Sequence, residues 1–345
     1  MLSGMISKPL ASRSALLSPP TATWQRMMKE AVRDAGELCR LLELPPEFAA
    51  KATRGTKHFP LFVPRPFLAR MRHADPADPL LLQVLPLDVE TDTAPGFTTD
   101  PVADGSASLQ PGLLQKYHGR VLMVTTGACA VHCRYCFRRH FPYSQTPRSL
   151  TDWQPALAQI EADDSIHEVI LSGGDPLTLV DPLLAQLAER LSEIVHLRRI
   201  RLHTRLPIVI PQRVTTDLLN WLTGTRLTPI VVVHVNHPAE IDAAVAAALG
   251  KLFDAGVPLL NQAVLLRGIN DNADALAELC ERLIELRVIP YYLHQLDRVA
   301  GAAHFEVPVA RGKQIVAELQ ARLPGYAVPR YVQEIVGRAH KVDLT

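Results

Sequence analysis

The chain reads as an α/β protein built on a partial, six-stranded (β/α)6 TIM-like barrel, with an N-terminal helical and irregular extension and a short C-terminal tail. Three observations predict this. After Pro111, short apolar runs alternate with stretches of helical periodicity, which is the pattern of βα units on a parallel sheet. Six such units can be counted, fewer than the eight that close a full barrel, so an open barrel fragment is expected. Polar residues also recur where the candidate strands end, on the rim where barrels of this kind carry their chemistry.

Taken in order, residues 22–50 have helical spacing, with Trp24, Met27, Met28, Ala31, Leu38 and Leu41 on one face until Pro45-Pro46 interrupts it. From Lys57 to Gly112 the chain is rich in proline, as in Phe59-Pro-Leu-Phe-Val-Pro-Arg-Pro, and lacks long periodic segments. It is expected to wrap the barrel irregularly, with short helices, rather than to form a domain. The predicted strands are Val121–Thr126, Glu168–Ser172, Ile200–Thr204, Pro229–Asn236, Leu259–Leu266 and Ile289–Gln295. Amphipathic stretches at 151–163, 181–195, 214–223, 239–255 and 273–287 separate them, and a last helix covers about 310–322. The organisation is thus an N-terminal segment over 1–110, a core over 111–325 and a tail over 326–345.

Bulk properties exclude several classes of function. A hydrophobic content of 48% with 21% charged residues is that of a globular protein, and a net charge of +1 gives no basic face for nucleic acid or membrane. No apolar run reaches the length of a membrane span. Of the five cysteines, Cys39 and Cys280 fall in helix-like stretches and read as buried thiols. The first acidic residue is Glu30, and the leader carries several serines with Lys8 and Arg13, a composition shared by transit peptides and frayed N-termini; Met5 is an alternative start. With no apolar secretory segment, a reducing cytoplasmic location is expected.

The other three cysteines carry most of the information. Cys129-Ala-Val-His-Cys133-Arg-Tyr-Cys136 puts three thiols on one tight loop after the first strand. Three thiolates suit an iron–sulfur cube that has four irons, leaving one iron open to a substrate. A structural zinc knuckle is the rival, but zinc takes four protein ligands, and His132 next to Cys133 is badly placed to be the fourth. The next rims carry Ser172-Gly-Gly-Asp-Pro, His203, His234-Val-Asn236, Gln262 and Asp297. Gly173 and Gly174 have no side chains, so a ligand can approach their backbone closely.

In this order and at this distance, the cysteine run and the Gly-Gly-Asp-Pro turn resemble the radical S-adenosylmethionine superfamily. That resemblance implies a [4Fe-4S] cluster on Cys129, Cys133 and Cys136, with S-adenosyl-L-methionine chelating the open iron. One-electron reduction from an electron donor then releases a 5′-deoxyadenosyl radical. Ser172, Gly173, Gly174 and Asp175 are implied to contact the methionyl part, and Gln262 the adenosyl part.

From about Val63 onward the chain is more specifically similar to the lysine 2,3-aminomutase family. The stretches that carry this are Pro111-Gly-Leu-Leu-Gln-Lys-Tyr, Cys133-Arg-Tyr-Cys-Phe-Arg-Arg-His, Asn261-Gln-Ala-Val-Leu-Leu-Arg-Gly, Pro290-Tyr-Tyr-Leu-His-Gln-Leu-Asp and Gly301-Ala-Ala-His-Phe. Phe137-Arg-Arg-His-Phe-Pro-Tyr, Arg205-Leu-Pro-Ile-Val-Ile-Pro and Asp75-Pro-Ala-Asp-Pro-Leu-Leu resemble its short bacterial branch, which serves β-lysylation of elongation factor P. The resemblance implies L-lysine as substrate, a separate ligase that uses the product, and pyridoxal 5'-phosphate on Lys341. It also implies that Lys116, Tyr117 and Arg120 line the cofactor phosphate and that Arg138 grips the substrate carboxylate. Asp297 and Glu334 would receive the distal ammonium, with Glu334 standing where the family has aspartate.

This chain departs from the long members in two places. Gly337-Arg-Ala-His precedes Lys341 where they have a run of glycines, and Asn272 stands where they have a zinc-binding cysteine. No structural zinc is therefore expected, and their oligomeric state does not carry over. Two rivals remain: an aminomutase acting on free lysine or another amino acid in secondary metabolism, and a non-catalytic iron–sulfur protein. The latter would need neither Ser172–Pro176 nor Lys341.

Overall fold

A computed structural model describes residues 23–56 and 59–345; the leader with Lys8 and Arg13, and the first residue of the predicted N-terminal helical stretch, lie outside the described residues. Ten strands follow one another: β1 (Ser108–Gln110), β2 (Leu113–Tyr117), β3 (Arg120–Thr126), β4 (Glu168–Gly173), β5 (Arg199–Thr204), β6 (Thr228–His234), β7 (Leu259–Val264), β8 (Val288–His294), β9 (Arg330–Gln333) and β10 (Val342–Asp343). They form one ten-stranded sheet in sequence order. From β3 to β9 each strand pairs parallel with the next. The margins are antiparallel, β1–β2–β3 at one side and β9–β10 at the other. Among the described residues β1 and β10 do not pair, so the barrel is open.

The six predicted strands are β3 to β8, within a residue or two at their ends. β4 is buried on both faces, with five buried residues in succession from Glu168 to Ser172, as a parallel strand inside an α/β fold is, whereas β5 and β7 alternate buried with half-buried positions. The tail adds to the prediction by contributing β9 to the parallel series. Four residues are too few for a periodic signal, but Tyr331 anchors them. Its ring packs where Gly312 has no side chain, since a Cβ there would lie 2.2 Å from the Tyr331 hydroxyl oxygen. That hydroxyl also donates to Gln295.

The N-terminal helices are α1 (Trp24–Lys29), α2 (Ala35–Leu41), α3 (Pro46–Gly55) and α4 (Arg65–Leu68). Pro45-Pro46 ends the first helical pattern as expected, and Pro46 then opens α3, where its missing N–H costs nothing. The barrel helices are α5 (Leu150–Glu161), α6 (Asp181–Glu193), α7 (Leu206–Val209), α8 (Thr216–Thr223), α9 (Ala243–Asp254), α10 (Ala273–Glu285) and α11 (Val309–Arg322). Ser149, Thr215, Asp242 and Asn272 accept a backbone N–H at the starts of α5, α8, α9 and α10. Asn272 is thus the N-cap of α10. Leu38, Leu42, Val63 and Phe67 of the extension are fully buried in the same apolar cluster as the barrel residues. No described helix is long and apolar enough to cross a membrane.

Candidate active site

The parallel strands all end on one side of the sheet, and a cavity of about 600 Å³ opens there. Every residue given a site role by the resemblance lines it: the three cysteines, Ser172 to Asp175, Lys116, Tyr117, Arg120, Arg138, Gln262, Asp297, Glu334 and Lys341, whereas Asn236 of the fourth rim does not.

The cysteine loop connects β3 to α5. Gly173 and Gly174 at the end of β4 are held against it: Gly174 N–H donates to Thr126 O and Asp175 N–H to Ala128 O, each at 2.7 Å. A Cβ at position 174 would sit 2.2 Å from Ala128 O, and Gly173 has a φ of +121°. The glycines therefore serve first to let two backbones of the protein touch. Asp175 lines the same cavity. Its buried carboxylate accepts from the Thr204 hydroxyl and from the backbone N–H groups of Leu177, Arg205 and Leu206, so it ties the ends of β4 and β5 together and has little capacity left for a ligand.

The thiols fit a cationic cluster. Burial pushes the Cys129 thiol well above its ordinary value, with Cys136 and Cys133 adding to it, and pushes Cys136 up to about 11 with Cys133 contributing. Thiols crowded together in this way keep their protons until a metal removes them. Among the described residues, no three His, Cys, Asp or Glu side chains gather as a single-ion site; a cluster with one iron for each thiolate asks for a wider spread. His132, which a zinc knuckle would use, instead places its Nδ1 2.8 Å from Pro60 O, between the Phe59 and Phe62 rings.

The other side of the cavity is built from β2, the end of β8 and the β9–β10 hairpin. The Lys341 ammonium pairs with Glu334 Oε2, while the Tyr117 hydroxyl donates to Glu334 Oε1 at 2.6 Å. Burial alone would raise the Glu334 carboxyl, but Lys341 and these hydrogen bonds outweigh it and hold it below the ordinary range. Asp297 has no side-chain hydrogen bond or ion pair among the described residues. Burial, opposed by Lys341 and reinforced by Glu334, pushes its carboxyl up to about 7. The Arg120 guanidinium stacks 4.7 Å over the Tyr117 ring and has no carboxylate partner among the described residues.

Asp104 was not visible as a site residue in the sequence. Its carboxylate stands between two expected ligand-binding cations, with Lys116 Nζ 2.7 Å from Oδ1 and Arg138 Nε donating to Oδ2 at 2.7 Å. Burial would raise it, but Arg138 and Lys116 keep it ionised. Arg138 Nη1 reaches Ser172 Oγ at 3.4 Å, while its Nη2 has no protein partner among the described residues. His203, His234 and His294 line the cavity as neutral rings. Burial lowers all three, His234 to about 3 with Arg205 adding to it. Asp104 lies in the aperiodic proline-rich segment and His294 inside a strand pattern, so neither carried a signal of its own.

Comparison with known proteins adds the following. A family model described as "4Fe-4S single cluster domain" matches residues 118–206. The chain is 46% identical over 318 residues to the L-lysine 2,3-aminomutase of Haemophilus influenzae, covering 92% of this chain and 94% of that one. It is also 46% identical over 330 residues to the L-lysine 2,3-aminomutase of Escherichia coli, covering 95% and 96%. Among solved structures, a radical SAM methyltransferase from Sphaerobacter thermophilus aligns with a TM-score of 0.43 and 18% identity, over 64% of this chain and 68% of that chain.

Proposed function

Since the chain belongs to the L-lysine 2,3-aminomutase family of radical S-adenosylmethionine isomerases, we propose that it converts L-lysine to β-lysine, the R isomer, using pyridoxal 5'-phosphate, for attachment to elongation factor P by a separate ligase. One observation carries the reading. A single cavity is lined by three thiols, by a lysine on the C-terminal hairpin and by a carboxylate that has no partner among the described residues.

Cys129, Cys133 and Cys136 hold the cluster in this reading, and the backbone of Gly173 and Gly174 borders the S-adenosyl-L-methionine site. Bound on Lys341, pyridoxal phosphate supplies the C=N bond across which an amino group can migrate between neighbouring carbons. Arg120 and Lys116 provide positive charge for its phosphate. Arg138, fixed through Nε by Asp104, offers its remaining N–H groups to the substrate carboxylate as a planar fork. Asp297 receives the distal ammonium, and Glu334 shares it once Lys341 no longer needs a counter-charge. Two carboxylates at that end favour a diamino acid over glutamate. All five cysteines are free, which suits a reducing cytoplasm.

The decisive experiment is anaerobic turnover by the reconstituted protein, supplied with S-adenosyl-L-methionine, dithionite, pyridoxal phosphate and L-lysine. The expected product is β-lysine, resolved by chiral chromatography and dependent on every addition. Formation of β-lysine without pyridoxal phosphate, or faster turnover of glutamate, overturns the proposal.

A further inference from the structure

Behind the cysteine loop lies a charge that neither substrate nor pyridoxal phosphate requires. Arg205 directly follows β5 and is buried. Its Nη1 donates to Cys133 Sγ at 2.8 Å and to the Tyr135 hydroxyl at 2.9 Å. Its Nη2 donates to Gln83 Oε1 at 2.6 Å and to Glu240 Oε2 at 2.8 Å, and its Nε is buried without a partner among the described residues. Guanidinium stays protonated at every working pH, so a permanent positive charge stands one hydrogen bond from a sulfur. An ion pair serving structure alone would be complete with Glu240 and Gln83 on Nη2. The Nη1 contact to the sulfur lies beyond that need.

We propose that Arg205 poises the reduction potential of the cluster through its N–H contact to Cys133 and its fixed charge, with Glu240 opposing it. The inference rests on the cluster reading given above. Reduction brings one electron from a low-potential one-electron donor to the cluster; the donor is oxidised by one electron and no proton moves. The reduced cluster is more negative, so a cation and an N–H donor at its ligand sulfur stabilise that state over the oxidised one, all the more in a buried site. Removing the cation makes the cluster harder to reduce, and removing the opposing carboxylate makes it easier.

The test is a potentiometric titration of the reconstituted holoenzyme, followed by the electron paramagnetic resonance signal of the reduced cluster, with iron per chain measured alongside. In Arg205→Met the ratio of reduced to oxidised cluster at a fixed potential is expected to fall about tenfold, equivalent to about 59 mV for a one-electron couple. Arg205→Lys, which keeps a charge but not the fork, should show a smaller fall, and Glu240→Gln a rise. If Arg205→Met does not fold, the lysine and glutamine variants still test the opposite signs. Iron-loaded variants with the parent's potential overturn the proposal, as do Arg205 and Glu240 variants that shift it in the same direction. Iron loss from all three also overturns it, because the arginine would then hold the cluster rather than poise it. Unmodified protein that takes up no cluster would sink the functional reading itself, a separate result.

Discussion

The cysteine loop and the C-terminal hairpin border the same cavity but are anchored by different physics. The loop is fastened by buried charges from distant parts of the chain. Glu90 accepts from Arg134 Nε at 2.7 Å and from Arg139 Nη2 at 2.8 Å, with all three side chains almost wholly buried. Taking away one member of such a set strands the others and costs about 3–5 kcal/mol. The hairpin relies on short pairings instead: β9 meets β8 at Arg330, Tyr331 and Val332, and β10 meets β9 at two residues. Residues 335–340 between β9 and β10 are exposed, and Lys341 follows them directly. The contrast matches the tasks proposed for the two ends. A redox group needs fixed surroundings, whereas a lysine that must let go of its cofactor during turnover benefits from a segment that opens at low cost.

Lys341→Ala should break the hairpin end alone, with the largest effect. The variant is expected to lose the cofactor's visible absorbance and all β-lysine formation, while its iron content stays at the parent's value. The measurements are absorption spectroscopy, iron analysis and product chromatography. A matching loss of iron would mean that the two ends are not independent, and the comparison would fail.

Gly174→Ala tests the opposite end with a smaller effect. Its Cβ would lie 2.2 Å from Ala128 O, which is backbone and cannot swing aside, so the cysteine loop must move. Overpacking of this kind costs about 1–3 kcal/mol. The variant should take up less iron on reconstitution yet bind pyridoxal phosphate with the parent's absorbance. Full iron loading would show that the loop adapts and that the close approach of the two backbones is not required.

What could be read from the sequence follows from where periodicity and spacing exist. Most of the six inner strands were legible as short apolar runs between helical patterns, β5 as an alternation of apolar and polar residues, and the thiols because three residues on one loop leave little freedom. That the cysteines, Ser172 to Gly174 and Asp297 would share one rim followed from the rule that barrel chemistry sits at strand ends, whereas Lys116, Tyr117, Arg120, Glu334 and Lys341 came from the resemblance alone. Asp104 and Glu90 were not legible. They lie in a proline-rich segment with no period, and their partners Lys116, Arg138, Arg134 and Arg139 are known only once the chain is folded. The structural work of the Asp175 carboxylate was not legible either, since its partners, the Thr204 hydroxyl and the backbone of Arg205 and Leu206, meet it only in the fold.

The finest test concerns Asp297, which borders the hairpin end and has its carboxyl pushed up to about 7 by burial. Below that pH it is neutral and has no charge to offer an ammonium; above it, it is ionised. The distal ammonium of lysine keeps its proton to about pH 10. The KM for lysine should therefore rise as the pH falls below about 7, by roughly tenfold per unit at the limit, with little change in kcat at saturating lysine. The sign for stability is opposite to that of an ordinary paired carboxylate. The folded value is raised, so the empty fold binds this proton more tightly than the unfolded chain does, and its stability declines as the pH rises from about 4 to about 7. Lysine offsets that decline, so the gain in melting temperature on adding lysine should be larger at pH 8 than at pH 6. Asp297→Asn should flatten both profiles and raise KM at pH 8 roughly ten- to a hundredfold, in line with about 1.5–3 kcal/mol for a charged hydrogen bond. A variant whose KM still climbs below pH 7 would move the titrating group away from Asp297, leaving Glu334 to account for the ammonium site.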